Sequence, residues 1–171
     1  MTSRSGVPGR STGVGLPPFQ RFLDEHREAV YRFLVASAGR ADADDCFQET
    51  FLSALRAYPR LAPGSNLRAW VMTIAHRKAL DAHRARRRRP EAVEEIPDRP
   101  AHAEGEPQPE LWAAVRELPA GQRDAVFLRY VADLAYREVA RVLRISEEAA
   151  RQRVREGMRR LRTELGTREA S

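Results

Sequence analysis

The sequence predicts an all-α protein made of two small helical domains joined by a flexible acidic linker. Three observations carry that prediction. Apolar residues recur at three- and four-residue spacing through both halves, the period of a helix with one buried face. Ala, Arg, Glu and Leu are everywhere, and long β-branched runs are absent. Between the patterned halves, residues 90–109 hold five prolines, many acids and few apolar groups. Such a segment buries too little apolar surface to offset the entropy of ordering it.

Each element follows in order. Residues 1–18 are rich in Gly, Ser and Pro, which predicts a disordered tail ending at Pro17-Pro18. Phe19, Phe22, Leu23, His26, Val30, Phe33 and Leu34 form one apolar stripe, and Gly39 ends that helix. Asp42, Asp44 and Asp45 suit the positive start of a second helix, with Phe47, Phe51, Leu55 and Tyr58 buried. Pro59, Pro63 and Gly64 then break the chain. A third helix begins near Leu67 and carries Trp70, Val71, Ile74, Ala75 and Leu80 inward, running into Arg84 and the basic run from Arg86 to Arg89 before Pro90. The first domain therefore spans 19–89.

Beyond the linker, Leu111, Trp112, Val115 and Leu118 form a short stripe. Pro119 starts the next helix, with Val126, Phe127, Tyr130 and Val131 inward. Asp133-Leu134 is a break, and Tyr136 to Leu143 makes a compact helix. Ser146 is placed to accept from the free amides of a last helix, whose first turn holds Glu147 and Glu148. That helix buries Ala150, Val154, Met158, Leu161 and Leu165. The second domain spans 110–166, and 167–171 is a short tail.

Charge points to the partner. Residues 67–89 carry eight Arg/Lys against one Asp, and residues 137–162 carry nine Arg against four Glu. Residues 91–110 carry seven Asp/Glu against one Arg. Two basic blocks flanking an acidic spacer fit a polyanion, because each phosphate contact releases counterions. The spacer is also placed to shield those blocks through Glu91, Glu94, Glu95 and Asp98. Fully extended, its 20 residues span at most about 70 Å, roughly two turns of B-DNA. Two contacts along one duplex are within that reach.

Other chemistries find little support. Cys46 is the only cysteine, so neither an internal disulfide nor a cysteine-based metal site is expected. On the apolar flank of a helix it reads as an inert, buried thiol. His76 reads as a surface histidine facing DNA, with no partner ligand at metal-binding spacing. No metal and no cofactor are expected. No apolar run approaches the roughly 18 residues of a membrane span, and no apolar segment follows Arg4 and Arg10 as in a secretory signal. The expected location is the cytoplasm. Asp44, Asp45, Glu49 and His76 lack the Glu-x-x-His or nucleophile–base patterns of a helical hydrolase, which argues against an enzyme.

Two helices joined by about three residues between Ala135 and Arg162 predict a helix-turn-helix. Ala140 is small where the helices cross, and Ile145 plugs between them. Arg151, Gln152 and Arg155 lie opposite Ala150 and Val154, where Arg suits guanine and Gln suits adenine in a major groove. Arg153, Arg159 and Arg160 are better placed for phosphates. Arg144 stands in the turn where Gly is common, so the turn tolerates a left-handed non-glycine residue or uses another geometry.

The two halves together resemble a known family. Asp44-Asp45-Cys46-Phe47-Gln48-Glu49-Thr50-Phe51-Leu52 resembles the core-polymerase-binding segment of bacterial sigma factors. The stretch Leu67-Arg68-Ala69-Trp70-Val71-Met72-Thr73-Ile74-Ala75-His76-Arg77-Lys78-Ala79-Leu80-Asp81, with Arg84, resembles the promoter-melting segment that follows it. Leu118-Pro119-Ala120-Gly121-Gln122-Arg123, Leu128-Arg129-Tyr130 and Tyr136-Arg137-Glu138-Val139-Ala140 resemble the start of sigma region 4. With only two helical domains, the chain is similar to the extracytoplasmic-function group of the sigma-70 family. The likeness covers roughly residues 19–165, in the family's order.

The resemblance implies a non-catalytic factor that directs core RNA polymerase to promoters and helps melt them. It implies docking on the polymerase clamp coiled coil through Asp45, Gln48, Glu49 and Leu52, with the flap regions contacted as well. Asn66 and Arg68 fall in or beside the loop that captures a flipped base of the −10 element. Arg77, Lys78, Asp81 and Arg84 fall where the family contacts promoter DNA. Arg151, Gln152, Arg153, Arg155 and Arg159 fall on the −35 reading helix. Glu156 stands where some members carry a cation. An anti-sigma factor is a further partner of the family. The competing reading is an autonomous helix-turn-helix regulator, which leaves the first 90 residues unexplained.

Overall fold

The computed structural model describes residues 15–88 and 108–169. The tail before residue 15, nearly all of the acidic linker with Glu91, Glu94, Glu95 and Asp98, and Arg89 lie outside the described residues. Among the described residues the fold is all-α, with seven α-helices, one 3-10 turn and no strand. The helices are α1 (Phe19–Ala38), α2 (Arg40–Ala57), α3 (Leu67–Arg88), α4 (Pro109–Glu117), α5 (Ala120–Tyr130), α6 (Tyr136–Leu143) and α7 (Glu147–Glu169). The 3-10 turn, Tyr58–Arg60, follows α2.

Helices α1, α2 and α3 close on an aromatic cluster centred on Phe22. Its ring lies 5.1 Å from His26, 5.1 Å from Tyr58, 5.4 Å from Phe19 and 5.7 Å from Trp70. These are the tilted and edge-on separations that aromatic pairs favour. The Tyr58 hydroxyl donates to the Pro17 carbonyl at 2.6 Å, and Leu16 packs against the same core. Leu16 and Pro17, at the end of the expected tail, are thus held on the first unit. Phe22→Ala is expected to destabilise the fold by about 3–5 kcal/mol, seen as a lower denaturant midpoint with an unchanged slope.

The buried faces differ from the predicted stripes in an instructive way. On α2 the buried residues are Ala43, Cys46, Thr50, Phe51 and Ala54, while Leu55 is 50% exposed. On α3 they are Val71, Met72, Ala75, His76 and Ala79, while Leu80 is 39% exposed. Small side chains at helical spacing let α2 and α3 approach closely. That close side becomes the buried one, and it turns Leu55 and Leu80 outward. Gly39 breaks α1 from α2 with φ 88° and ψ 158°, and α2 starts at Arg40, before the aspartates expected to open it.

The second unit packs α4, α5 and α6 on α7. Ala114, Val115, Leu118, Val126 and Leu161 form one buried cluster. A Cβ at Gly157 would sit 2.7 Å from Val126 Cγ2, so α7 and α5 touch nearly backbone to side chain there. Gly157→Ala is expected to cost about 1–3 kcal/mol through overpacking, despite the better helix propensity of Ala, and a thermal melt reads it directly. Tyr130, expected inward, is 57% exposed, because the helix ends there and Arg129 stacks over its ring at 5.6 Å. Asp124 takes a buried place instead. Helix α7 runs on to Glu169, past the expected domain end at 166.

Candidate nucleic-acid and protein interfaces

The helix-turn-helix is α6 and α7. Glu138 caps α6 by accepting the Ala135 amide at 3.0 Å. Arg144 closes α6 in a left-handed conformation, φ 56° and ψ 47°, so the turn does tolerate a non-glycine residue there. The Ile145 amide then donates to the Ala140 carbonyl at 3.0 Å. The Ser146 hydroxyl accepts the Ala149 amide at 3.1 Å and starts α7.

Ala150 and Val154 are buried against the unit, which turns Arg151, Gln152 and Arg155 to the surface. Arg151 stacks over Tyr136 at 5.1 Å and pairs with Glu147 at 2.6 Å. Arg129 stacks over the same ring at 5.3 Å. Arg159 is exposed one turn beyond Arg155. Arg153 is different: it is half-buried, and its guanidinium covers Gly121 at the start of α5. Glu156 accepts the amide of Gln152 and the amide of Gln122, each at 3.0 Å. A carboxylate only accepts, so both amide nitrogens must face it.

In the first unit, Asp45, Gln48, Glu49 and Leu52 are all exposed on one side of α2. Leu52 is 46% exposed, with Leu55 one turn further. These two make an apolar strip rimmed by acids and an amide. Glu49 also reaches Lys78 of α3 at 3.4 Å. Arg84 pairs with Asp81 at 3.6 Å, and Arg77 is exposed on the same helix. Asn66 caps α3, its Oδ1 accepting the Ala69 amide at 3.0 Å, and its Nδ2 donates to the Glu138 carboxylate of α6. Arg68 donates to the Ala132 carbonyl at 3.4 Å. The two residues assigned to the −10 loop therefore both touch the second unit.

His76 departs from its expected place. It is 9% exposed, beside Phe33 and Asp124, with Nδ1 lying 3.4 Å from Asp124 Oδ2. The helix turns it inward because its position, one residue after Ala75 and three before Ala79, lies on the close-packed side. Asp124 also accepts the Ser37 hydroxyl at 2.5 Å. Sequence reasoning missed Ser37, Asp124 and Glu138. The available signal was an acid inside the apolar stripe of α5.

Burial sets the titration of two other groups. His26, packed edge-on to Phe22, has its pKa lowered chiefly by desolvation, with Glu25 opposing and Arg68 adding to the effect. The unfolded chain thus binds a proton at His26 first as pH falls. His26 contributes stability above its ordinary value of about 6.5, lost as pH falls through the lowered folded value. Wild type is therefore expected to lose more thermal stability than His26→Gln between neutral and mildly acidic pH. Burial also pushes the Cys46 thiol up, with Asp42 and Asp45 adding to the effect.

Among the described residues, no cluster of His, Cys, Asp and Glu could hold a metal ion, and no helix is long and apolar enough to cross a membrane.

Comparisons with known proteins divide the chain at the same places as the geometry. The family model described as Sigma-70 region 2 matches residues 22–89, and that described as Sigma-70, region 4 matches residues 108–161. The chain is 33% identical over 129 residues to the ECF RNA polymerase sigma factor SigC of Mycobacterium tuberculosis, covering 72% of this chain and 70% of the relative. It is 32% identical over 155 residues to the RNA polymerase sigma factor CarQ of Myxococcus xanthus, covering 86% and 89%. Its fold is similar to that of the sigma factor RpoE of Bartonella quintana, solved in complex with the anti-sigma factor NepR. There the TM-score is 0.72 at 24% identity, over 86% of this chain and 96% of that one.

Proposed function

The chain belongs to the extracytoplasmic-function group of sigma-70-type RNA polymerase sigma factors, which direct the polymerase to promoters, and we propose how its own residues divide that work. The exposed side of α2 docks core polymerase on the clamp coiled coil, with Leu52 as the apolar anchor and Asp45, Gln48 and Glu49 as its polar rim. The second unit engages the flap regions. Asn66 and Arg68 read the −10 element as it opens, and Arg77, Lys78, Asp81 and Arg84 line the strand's path. On α7, Arg151, Gln152 and Arg155 read the −35 element, and Arg159 holds phosphate. Arg153, which covers Gly121, acts on −35 DNA from the flank of the helix.

The observation that carries this reading is the outward side of α7. Arg151, Gln152 and Arg155 are exposed together, while Ala150 and Val154 anchor the same turns in the core. Glu156 adds precision. It fixes the Gln152 amide nitrogen, which leaves the Gln152 oxygen free to accept from adenine N6 or cytosine N4. The Glu156 carboxylate thus serves two side-chain amides, one on α5 and one on α7.

The chain supplies binding and orientation, and the polymerase performs the chemistry, with no metal or cofactor on the sigma factor itself. Its workplace is the cytoplasm, where polymerase and chromosome meet. An anti-sigma factor, the kind of partner seen on the Bartonella quintana protein, fits as its regulator. The domains are those of the first reading, 19–89 and 110–166 around the linker, with Leu16 and Pro17 held on the first and α7 continuing to Glu169 in the second. An autonomous helix-turn-helix regulator is not favoured, because the first unit matches sigma region 2.

Pull-down of core polymerase, followed by run-off transcription and mapping of start sites, tests the reading. Core polymerase should be retained, and start sites dependent on this chain should share −35 and −10 elements. Failure to bind core polymerase sinks it.

A further inference from the structure

We propose that Gln122, on α5 and outside the helix-turn-helix, is a positioning residue for −35 recognition. Acting through Glu156, it keeps the Gln152 amide from turning over and so sets which orientation of a base pair Gln152 accepts. The inference rests on the placement of Gln152 on the −35 element and extends it to a residue that need not touch DNA.

The three side chains form one line running outward. Gln122 and Glu156 are half-buried, and Gln152 is exposed. The Glu156 carboxylate accepts Gln122 Nε2 on one oxygen and Gln152 Nε2 on the other, each at 3.0 Å. A carboxylate bonded on one oxygen alone can swing about its own torsions. Bonded on both, it presents a fixed acceptor to Gln152.

Two glycines set this line. A Cβ at Gly157, the residue after Glu156, would come to 3.4 Å of the Gln122 backbone oxygen and 3.5 Å of its Cβ. A Cβ at Gly121 would meet the Arg153 guanidinium at 3.1 Å. Helices α5 and α7 thus close on either side of Gln122, which brings Glu156 within its reach. The Gln122 amide points to the same role. Its Oε1 is buried without a hydrogen-bond partner among the described residues, whereas its Nε2 meets the carboxylate. Burying an unpaired amide oxygen is unfavourable, and an apolar side chain of similar length would avoid it. What the amide contributes is the donor to Glu156.

The consequence for DNA is directional. The Gln152 amide nitrogen carries two N–H groups, and Glu156 takes one. The amide oxygen then faces the groove with the second N–H beside it. In the major groove every base pair shows one exocyclic amine, adenine N6 or cytosine N4, and one keto oxygen, thymine O4 or guanine O6. Reversing the pair exchanges their places. An amide free to turn over meets either orientation, its oxygen on the amine or its nitrogen on the keto group. Gln152 held by Glu156 meets only the orientation that sets the amine before its oxygen, because turning over would put that oxygen against the carboxylate. Adenine fits best, since its N7 also accepts the second N–H.

The test uses core polymerase loaded with the full chain. A promoter library randomised across the −35 element, transcribed by wild type and by Gln152→Ala, locates the base pair that Gln152 reads as the one where preference changes. Wild type should prefer one orientation of that pair over its reverse by about 5- to 150-fold. Deleting the amine there, with purine for adenine or 2-pyrimidinone for cytosine, should cost wild type more than it costs Gln152→Ala. Gln122→Leu and Gln122→Met both remove the donor and keep an apolar side chain of similar size. Thermal melts and core-polymerase pull-down establish that each is folded and loaded. In the folded variants the orientation preference should fall about 2- to 10-fold, the span of one ordinary hydrogen bond, at that pair alone. Gln122→Lys, which restores a donor to Glu156, should bring it back. A merely structural role would lower transcription from all sequences alike and leave the preference unmoved. That result overturns the proposal, as does an amine deletion that costs wild type and Gln152→Ala equally, or a Lys variant no better than Leu. If Gln152→Ala changes preference at no base pair, Gln152 is not a reader, and the role of Gln122 falls with that assignment. If it does and the Gln122 variants are silent, the role of Gln122 falls alone.

Discussion

Replacing Leu52 with Asp is expected to weaken binding to core RNA polymerase by about 30-fold or more, with the fold intact. The magnitude is that of an interface anchor, about 2 kcal/mol or above. The side chain is already 46% exposed, so its loss leaves no cavity in the three-helix core. Surface changes of this kind shift stability by about 0.5 kcal/mol or less. The new carboxylate joins Asp45 and Glu49 on the same side of α2 and adds charge where an apolar patch must desolvate. Titration of labelled core polymerase, with a thermal melt beside it, separates the two effects. Unchanged affinity removes Leu52 from the docking surface.

Arg155→Ala is expected to lower run-off transcription from a matched promoter by about 5- to 150-fold, the loss of one bidentate base contact worth about 1–3 kcal/mol. The loss should concentrate at one base pair of the −35 element, where other bases become tolerated. Arg159→Ala is expected to act differently. It should weaken all sequences alike and lower the salt slope by about one, the mark of a phosphate contact. A promoter library transcribed at two salt concentrations reads both. If Arg155→Ala weakens all sequences alike, it belongs with the phosphate contacts instead.

The fold class was legible because helical period and Pro-rich punctuation are local signals. The Ser146 cap and the Arg144 turn were legible for the same reason, since each depends on its near neighbours. Leu55 and Leu80 were misplaced because side-chain size alone does not say which flank of a helix lies closest to its neighbours. Small residues such as Ala43, Ala54 and Ala79 decided that. His76 was misread because its partner, Asp124, comes from another domain 48 positions away. The outward residues of α7 could be placed from its buried stripe, whereas the engagement of Asn66 by Glu138 had no local signal at all.

Cys46 gives the molecule a built-in clock. Cys46 is 6% exposed, its thiol lies 3.7 Å from the Lys78 carbonyl across the α2–α3 seam, and burial pushes its pKa up. A thiol reagent meets it only when that seam parts. With one cysteine in the chain, the rate of its labelling is a direct measure of how often α2 lifts from α3. Any cysteine introduced on the surface will react long before it.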